Sequence, residues 1–450
     1  MTKVKVCDAI CGKGKTQGCI EMMNSRTDLH FIFVTQYLTE VERIKRACRS
    51  RDFVSPESDI NTGKTKLSDI HTLMAEGRNI ATTHSLFVNY TEETKELIRQ
   101  HKYVLVLDEV VDVIHEAEIC KYDIGILKRS NAVVEEDGVI KWVDDSYEQE
   151  GREKGRFREE MLQAKSQNFL VFDDDYFFWA IPPGLFTCFE DVYVLTYLFE
   201  AQTLRCFFEL YGIDYELIGV TKVGSKYLFC PIEEMDRSME LRDKIHILKN
   251  ERLNSIGGQR TALSLSWYRA ARVEEEAPLL RQMKNNITNV FKNVFSAQSK
   301  EVMWTTFKDF QASLSNKGYM NSFIPYNKRA SNEYSDRKYL AYCVNNFPRP
   351  WETKFFREHG IEVNVDLYAL SILVQWIFRS AIRRGEEVWV YIPSARMRTL
   401  LELWLNKLAE GKDCEPINYR TPRKSRAKTG AKRGRPAGTK NKKVKENNYI

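Results

Sequence analysis

The sequence predicts an α/β protein of two tandem domains on parallel sheets, with an insertion in the first domain and a basic C-terminal tail. Three observations carry that prediction. Short apolar runs alternate with helical stretches twice over, and strands that are apolar on both faces belong to parallel sheets covered on both sides. A charged, aromatic-rich segment interrupts the first alternation after Ile114. From Arg420 onward the chain carries twelve Lys or Arg and one acid, a net +11 within an overall +6, which leaves −5 on the body. A mildly acidic body with a strongly basic extension is the sign pattern of an enzyme core with a polyanion-binding arm.

The elements follow in order. "KVKVCD" reads as the first strand, then a glycine-rich turn, then a helix through Met22. "HFIFVTQ", "RNIATTH", "KYVLVLDEVV" and "DVYVLTY" supply four more strands, with the helical "LTEVERIKRACRS" after the first of them. Residues 115–189 form the insertion and 1–215 the first domain. The second domain, 216–419, offers "KIHILK", "EVMWTTFKDF", "MNSFIP", "KYLAYCVNNF" and "EVWVYIP" as strands, the last preceded by the helical "LYALSILVQWIFRSAIRR". Residues 420–450 are nearly free of apolar side chains and cannot bury a core, so they are expected to be disordered.

The 450 residues suffice for two domains with full cores. No twenty-residue apolar stretch is present, so no membrane partner is expected. The opening "MTKVKV" lacks a signal-peptide pattern. Ten scattered cysteines without a C-x-x-C pair indicate neither a zinc ribbon nor a disulfide framework. A reducing, cytoplasmic setting is the expectation.

The turn after the first strand carries the chemistry. "AICGKGKT" fits [AG]-x4-G-K-[ST], with Ala9 first and Gly14, Lys15 and Thr16 closing. Glycines such as Gly12 and Gly14 let backbone N–H groups curl around phosphates, and the following helix adds its positive N-terminal dipole. Lys15 reaches the β/γ-phosphates and the Thr16 hydroxyl holds Mg²⁺ in such a loop, and ATP is the expected nucleotide. A second G-K-T at Gly63–Thr65 has Ser58 in the first position and no strand before it, so it reads as a polar loop. Such a phosphate loop needs a carboxylate at the end of a neighbouring strand. "YVLVLDEVV" supplies Asp108 for Mg²⁺ and Glu109 to orient and deprotonate the attacking water. Asp173 to Asp175 read as a solvated turn.

Together these motifs resemble motifs I and II of superfamily-two (DEAD/DEAH-like) helicases, with phage-encoded replication helicases the closest in look. "VTQYLTEVERI" resembles motif Ia, "ATTHSLF" motif Ib, "VLTYLFEAQ" motif III, "RASNEYSDR" motif V and "QWIFRSAIR" motif VI. The resemblance covers residues 6–398 and implies two RecA-like domains with the nucleotide between them. It implies nucleic-acid contacts from Thr35, Thr83, His84, Ser331 and Asn332, and a relay through Thr196. A packing or capping role for His84 is the alternative. In motif VI, Gln375, Arg379 and Arg383 are spaced i, i+4, i+8, which predicts one helix face. The family pattern has its arginines one residue closer and Gly where Phe378 stands, so Arg379, Arg383 and Arg384 all remain candidates for the arginine finger. Trp142, Tyr147 and Trp179 could stack on bases or pack a core. In the tail, Arg433-Gly434-Arg435-Pro436 resembles an AT-hook, whose two arginines enter an A·T-rich minor groove. DNA is therefore the favoured partner and a helicase or translocase in phage-type replication the expected function. A packaging-motor ATPase (terminase large subunit) and an AT-hook binding protein on a non-unwinding ATPase are the alternatives.

Overall fold

The computed structural model describes residues 2–419, apart from 60, 137, 145–155, 166–167, 174–175, 238, 275, 329–332, 414 and 416. Within them the chain is α/β, with two sheets of parallel strands and a third, antiparallel one. The first sheet uses β1 (Lys3–Asp8), β2 (His30–Thr35), β3 (Ile80–Thr83) and β4 (Tyr103–Asp108). The insertion contributes β5 (Ile114–Glu116), β6 (Val133–Glu136), β7 (Val139–Trp142), β8 (Phe169–Phe172) and β9 (Tyr176–Ala180). The chain then returns to the first sheet with β10 (Asp191–Thr196), β11 (Tyr215–Val223) and β12 (Lys226–Pro231). The second parallel sheet holds β13 (Ile245–Ile247), β14 (Val302–Thr305), β15 (Tyr339–Tyr342) and β16 (Val388–Tyr391).

The first sheet runs β12-β11-β1-β10-β4-β2-β3, all parallel except β12. Its central strands β2 and β4 are apolar on both faces because both faces are covered. Ile32, Val34, Leu105 and Leu107 enter one core, while Phe31, Phe33, Val104 and Val106 enter the other. From β1 the chain passes over β10 and β4 to reach β2. Ligands of open α/β sheets bind at such a reversal, beyond the carboxyl ends of the strands. At that edge β1, β2, β3, β4 and β10 end on Asp8, Thr35, Thr83, Asp108 and Thr196.

The insertion forms an antiparallel sheet, β5-β9-β8-β7-β6, around its own core of Ile140, Trp142, Met161, Phe169 and Phe177. Phe178 leaves that sheet to stack on Trp351, with ring centroids 5.2 Å apart. Trp351 belongs to the helix Pro350–Glu358 of the second half. The second sheet, β13-β16-β15-β14, is parallel throughout. Its apolar core also takes in Ile10, Tyr197 and Leu198 from the first half.

Two expectations change, and a third is met. "MNSFIP" is a 3-10 turn, Met320–Ser322, with one bridge from Phe323 to Trp304. The first sheet continues through Pro231, so a division after residue 215 cuts β11. Gly63-Lys64-Thr65 is a loop as expected, closed by the Asp59–Lys64 bridge, and Thr65 caps the helix Lys66–Ala75. Among the described residues no helix is long and apolar enough to cross a membrane.

Candidate nucleotide site

The phosphate loop spans the gap between the end of β1 and the helix Lys15–Ser25. Gly12 and Gly14 hold φ of 88° and 94°, a region that glycine occupies without penalty. Gly14 has a second reason to be glycine. The Tyr227 ring of β12 lies on it, and a Cβ there would sit 2.2 Å from a ring carbon. One turn on, Gly18 lets Val220 approach, so the β11–β12 hairpin seats directly on this helix. The Lys15 ammonium is buried and donates to the Ala9 carbonyl and, at 3.4 Å, to that of Ile10. The Thr16 hydroxyl donates to Asp108 Oδ1 at 3.1 Å. Burial, with Glu109 alongside as the second cause, pushes the Asp108 carboxyl up to about 6.

Glu109 directly follows β4 and adopts φ of 71°. That conformation costs an L-residue about 1–2 kcal/mol. The Glu109 N–H donates to the Leu195 carbonyl at 2.9 Å, which ties the bend to β10. The Glu109 Oε2 is buried and has no hydrogen-bond partner among the described residues. The Thr196 hydroxyl, at the end of β10, is likewise buried without a partner among them.

The second half does not present its motif as one helix face. The helix Val365–Ile377 carries half-buried Gln375 but is capped by Phe378. Arg379 lies beyond that cap, and Arg383 is in the 3-10 turn Ala381–Arg384. The chain turns at Ser380, which is extended and whose hydroxyl caps the 3-10 turn by accepting from the Ile382 N–H, while Phe378, Ala381 and Ile382 are buried. Arg379 thereby becomes buried, at 3% exposure, while Arg383 is exposed. Arg384 pairs with Glu386 at 2.8 Å.

Two buried arginines of this half show what separates a strut from a poised cation. Arg396 is fully engaged, with Asp366 at 2.7 Å, Asn345 at 2.8 Å and the carbonyls of Asn346 and Val365. Arg379 has, among the described residues, a single side-chain hydrogen bond, 3.4 Å to the Pro325 carbonyl, and its Nε has none. Burial pushes its pKa down to about 10, against the opposing pull of Tyr37, Cys11, Tyr342 and Glu109. The thiol of Cys11, inside the phosphate loop, feels Lys15, Glu109, Arg383 and Arg379 together. Charged residues of the two halves are therefore within electrostatic reach of the loop, and among the described residues Glu109 Oε2, Thr196 Oγ1 and Arg379 Nε are polar atoms buried without hydrogen-bond partners. Such atoms are costly unless something else satisfies them.

The remaining predicted residues separate. Thr35 and Thr83 are register partners on β2 and β3. Thr35 is buried, and the Thr83 hydroxyl lies 3.0 Å from that of Ser85. His84 opens the short helix His84–Phe87. Trp142 packs the insertion core, Trp179 stacks on His115 at 4.0 Å, and Asp173 pairs with Lys354. Tyr147, Asp174, Asp175, Ser331, Asn332, Arg433 and Arg435 lie outside the described residues.

Residues 239–405 match the family described as the YonV C-terminal Rossmann-like domain. Across 412 residues, 90% of this chain and 99% of the relative, the chain is 41% identical to the SPbeta prophage-derived protein YonV of Bacillus subtilis strain 168. The chain belongs to the YonV family. The relative's name gives a prophage origin and no activity. The YonV C-terminal match contains Gln375, Arg379 and Arg383, while the phosphate loop and Asp108-Glu109 lie before it. A solved structure, that of S. tokodaii Xpd4, aligns with 89% of this YonV-family chain and 94% of its own at 11% identity. Its TM-score of 0.43 is too low to carry an argument.

Sequence reasoning missed several residues of this region. Asp8 ends β1, and its carboxylate accepts from the N–H groups of Leu198 (2.8 Å) and Phe199 (3.2 Å). Tyr342 ends β15 with its hydroxyl buried and, among the described residues, without a hydrogen-bond partner. A strand-terminal acid after "KVKVC" was a legible signal. Tyr227 and Tyr342 carried none.

Proposed function

We propose that the chain is an ATP hydrolase that couples hydrolysis to movement along nucleic acid, a helicase or translocase of the superfamily-two kind. The observation that carries the reading is Arg379, a buried guanidinium of the other half of the molecule that lies within electrostatic reach of Cys11 in the phosphate loop and of Glu109, and whose Nε has no hydrogen-bond partner among the described residues. A buried guanidinium in that state calls for an anion, and phosphate matches its fork of donors.

The roles follow from position. Loop N–H groups and Lys15 bind the phosphates. Thr16 and Asp108, already 3.1 Å apart, are suited to hold Mg²⁺, which supplies charge neutralisation on the phosphate oxygens. Glu109, strained at φ of 71° and with its Oε2 buried, follows Asp108 and is suited to orient a water and take its proton. Arg379 serves as the finger on the terminal phosphate, with exposed Arg383 and Gln375 as its neighbours. Thr196 stands where β10 can relay occupancy of the loop.

Nucleic acid as the partner rests on the motif order, on strand-end Thr35 and Thr83 and the neighbouring His84, on Ser331 and Asn332, and on the +11 tail. DNA is favoured, with A·T-rich duplex read through Arg433 and Arg435. A prophage-derived relative fits a role in phage-type replication in the host cytoplasm. The deciding experiment measures Mg²⁺-dependent ATP hydrolysis alone and with single-stranded DNA, duplex DNA and RNA. Stimulation by one polymer names the partner. Hydrolysis that no nucleic acid alters would reduce the reading to an ATPase of another kind.

A further inference from the structure

The segment joining the two halves runs along the phosphate loop and holds it at two points. The Lys13 ammonium donates to the Asp236 carbonyl at 3.2 Å. The Arg237 Nη1 donates to the Asp8 carbonyl at 2.8 Å, immediately before the loop begins. That guanidinium also engages Asp413 through Nε at 3.0 Å and Nη2 at 3.3 Å. Asp413 follows the last helix of the second half, Ala395–Ala409, and is 1% exposed. It accepts in addition from the Tyr197 hydroxyl at 2.6 Å, and that hydroxyl accepts from Trp404 Nε1 at 2.8 Å. Tyr197 is the residue after Thr196, and Asp8 in turn receives the N–H groups of Leu198 and Phe199.

The result is a closed circuit of hydrogen bonds. It joins the start of the phosphate loop, the end of β10, the linker and the C-terminal end of the folded body. Charge-assisted and bidentate, the Arg237–Asp413 pair is the strong member. Each bond of the circuit joins residues at least 176 apart in sequence. None of them is a phosphate ligand in the reading above.

We infer that Arg237 and Asp413 are positioning residues that couple occupancy of the phosphate loop to the C-terminal end of the folded body. This rests on the nucleotide reading of the loop. A shift of the Asp8 carbonyl as the loop closes on phosphate is transmitted through Arg237 to Asp413, directly ahead of the basic tail. The chemistry does not require the pair to touch substrate, only to hold the loop's first peptide in register.

The test uses the full chain and compares the parent with Asp413→Asn, Arg237→Met and Tyr197→Phe. Affinity for ATP with Mg²⁺ is measured with amide hydrogen exchange over residues 10–15 and 411–419, with and without the nucleotide. In the parent, nucleotide should slow exchange in both segments. In Asp413→Asn and Arg237→Met, affinity should fall about tenfold, the loss expected for a hydrogen bond to a charged group. The C-terminal response should vanish while the loop remains protected at saturating nucleotide. Tyr197→Phe removes one hydroxyl and should weaken the response even if the charge variants fail to fold. Parental affinity and an unchanged C-terminal response in the folded variants would overturn the coupling and leave a fold strut. A parent that binds no nucleotide would overturn the nucleotide reading, and the coupling with it.

Discussion

Replacing Arg379 with methionine separates a catalytic guanidinium from a structural one, because the two roles predict opposite signs for stability. Burial lowers the Arg379 pKa to about 10, so the charged form carries a cost. Converted at 1.36 kcal/mol per pKa unit, that cost is roughly 3 kcal/mol. The sign is that of a base whose folded pKa lies below its unfolded value. The cost is fully present below about pH 10 and is relieved only as pH rises through that value, so it applies at neutral pH. Against it stands one weak hydrogen bond, 3.4 Å to the Pro325 carbonyl, worth about 1 kcal/mol or less. Methionine fills similar space without charge, so Arg379→Met should stabilise the protein by about 1–2 kcal/mol, as other buried unpaired charges do when replaced by apolar side chains. Denaturant unfolding at pH 7 measures this as a higher midpoint. Arg396→Met is the control. It breaks the buried pair with Asp366 and should destabilise by about 3–5 kcal/mol. In the same Arg379→Met protein, ATP hydrolysis should fall about 10³-fold while nucleotide affinity changes little, the pattern of a finger acting on the transition state. A lowered midpoint together with equal losses of binding and turnover would refute the argument and make Arg379 a strut.

Glu109→Gln should bind ATP and lose turnover, because it keeps the size of the side chain and removes only its basicity; parental hydrolysis would exclude Glu109 as the base. Asp108 has a raised folded pKa, so its charged form costs stability above about pH 6 and the cost disappears as pH falls below the unfolded value. Asp108→Asn should therefore raise the melting temperature at pH 8 but not at pH 3.5 when measured without Mg²⁺. Gly14→Ala should cost about 2–5 kcal/mol, from φ of 94° and from collision with Tyr227; in a Tyr227→Ala background the collision is absent and about half of the penalty should disappear in a double-mutant cycle. Deleting residues 420–450 removes +11 of charge and should spare basal ATPase activity while flattening the dependence of log K for duplex DNA on log salt by ~0.9 per lost phosphate contact. Retained A·T preference after Arg433→Ala with Arg435→Ala would count against the hook.

What the sequence determined on its own is local. A phosphate loop is legible because its requirements are met by neighbours in the chain: an apolar strand before it, glycines that tolerate positive φ, and Lys15-Thr16 opening a helix. Asp108 and Glu109 are legible for the same reason, since Tyr103 to Leu107 can only be buried strand and the first polar residues after it must emerge at the strand's end. The paired strands β11 and β12 were missed because they are half-exposed at a sheet edge and lack the continuous apolar run of a central strand. The end of the motif VI helix was missed because "VQWIFRSAIRRG" holds no proline, and no glycine before Gly385. That helix stops at Ile377 because Ser380 adopts an extended conformation and caps a separate turn, Ala381–Arg384, an arrangement that the periodicity of the segment does not announce. Only tertiary structure could therefore distinguish buried Arg379 from exposed Arg383, two residues of one type four positions apart. The same holds for Asp413, whose role is set by Tyr197, 216 residues earlier, and by Arg237, 176 residues earlier. Burial and charge pairing between distant segments are properties of the packed chain, and no local pattern encodes which partner a lone charge will meet.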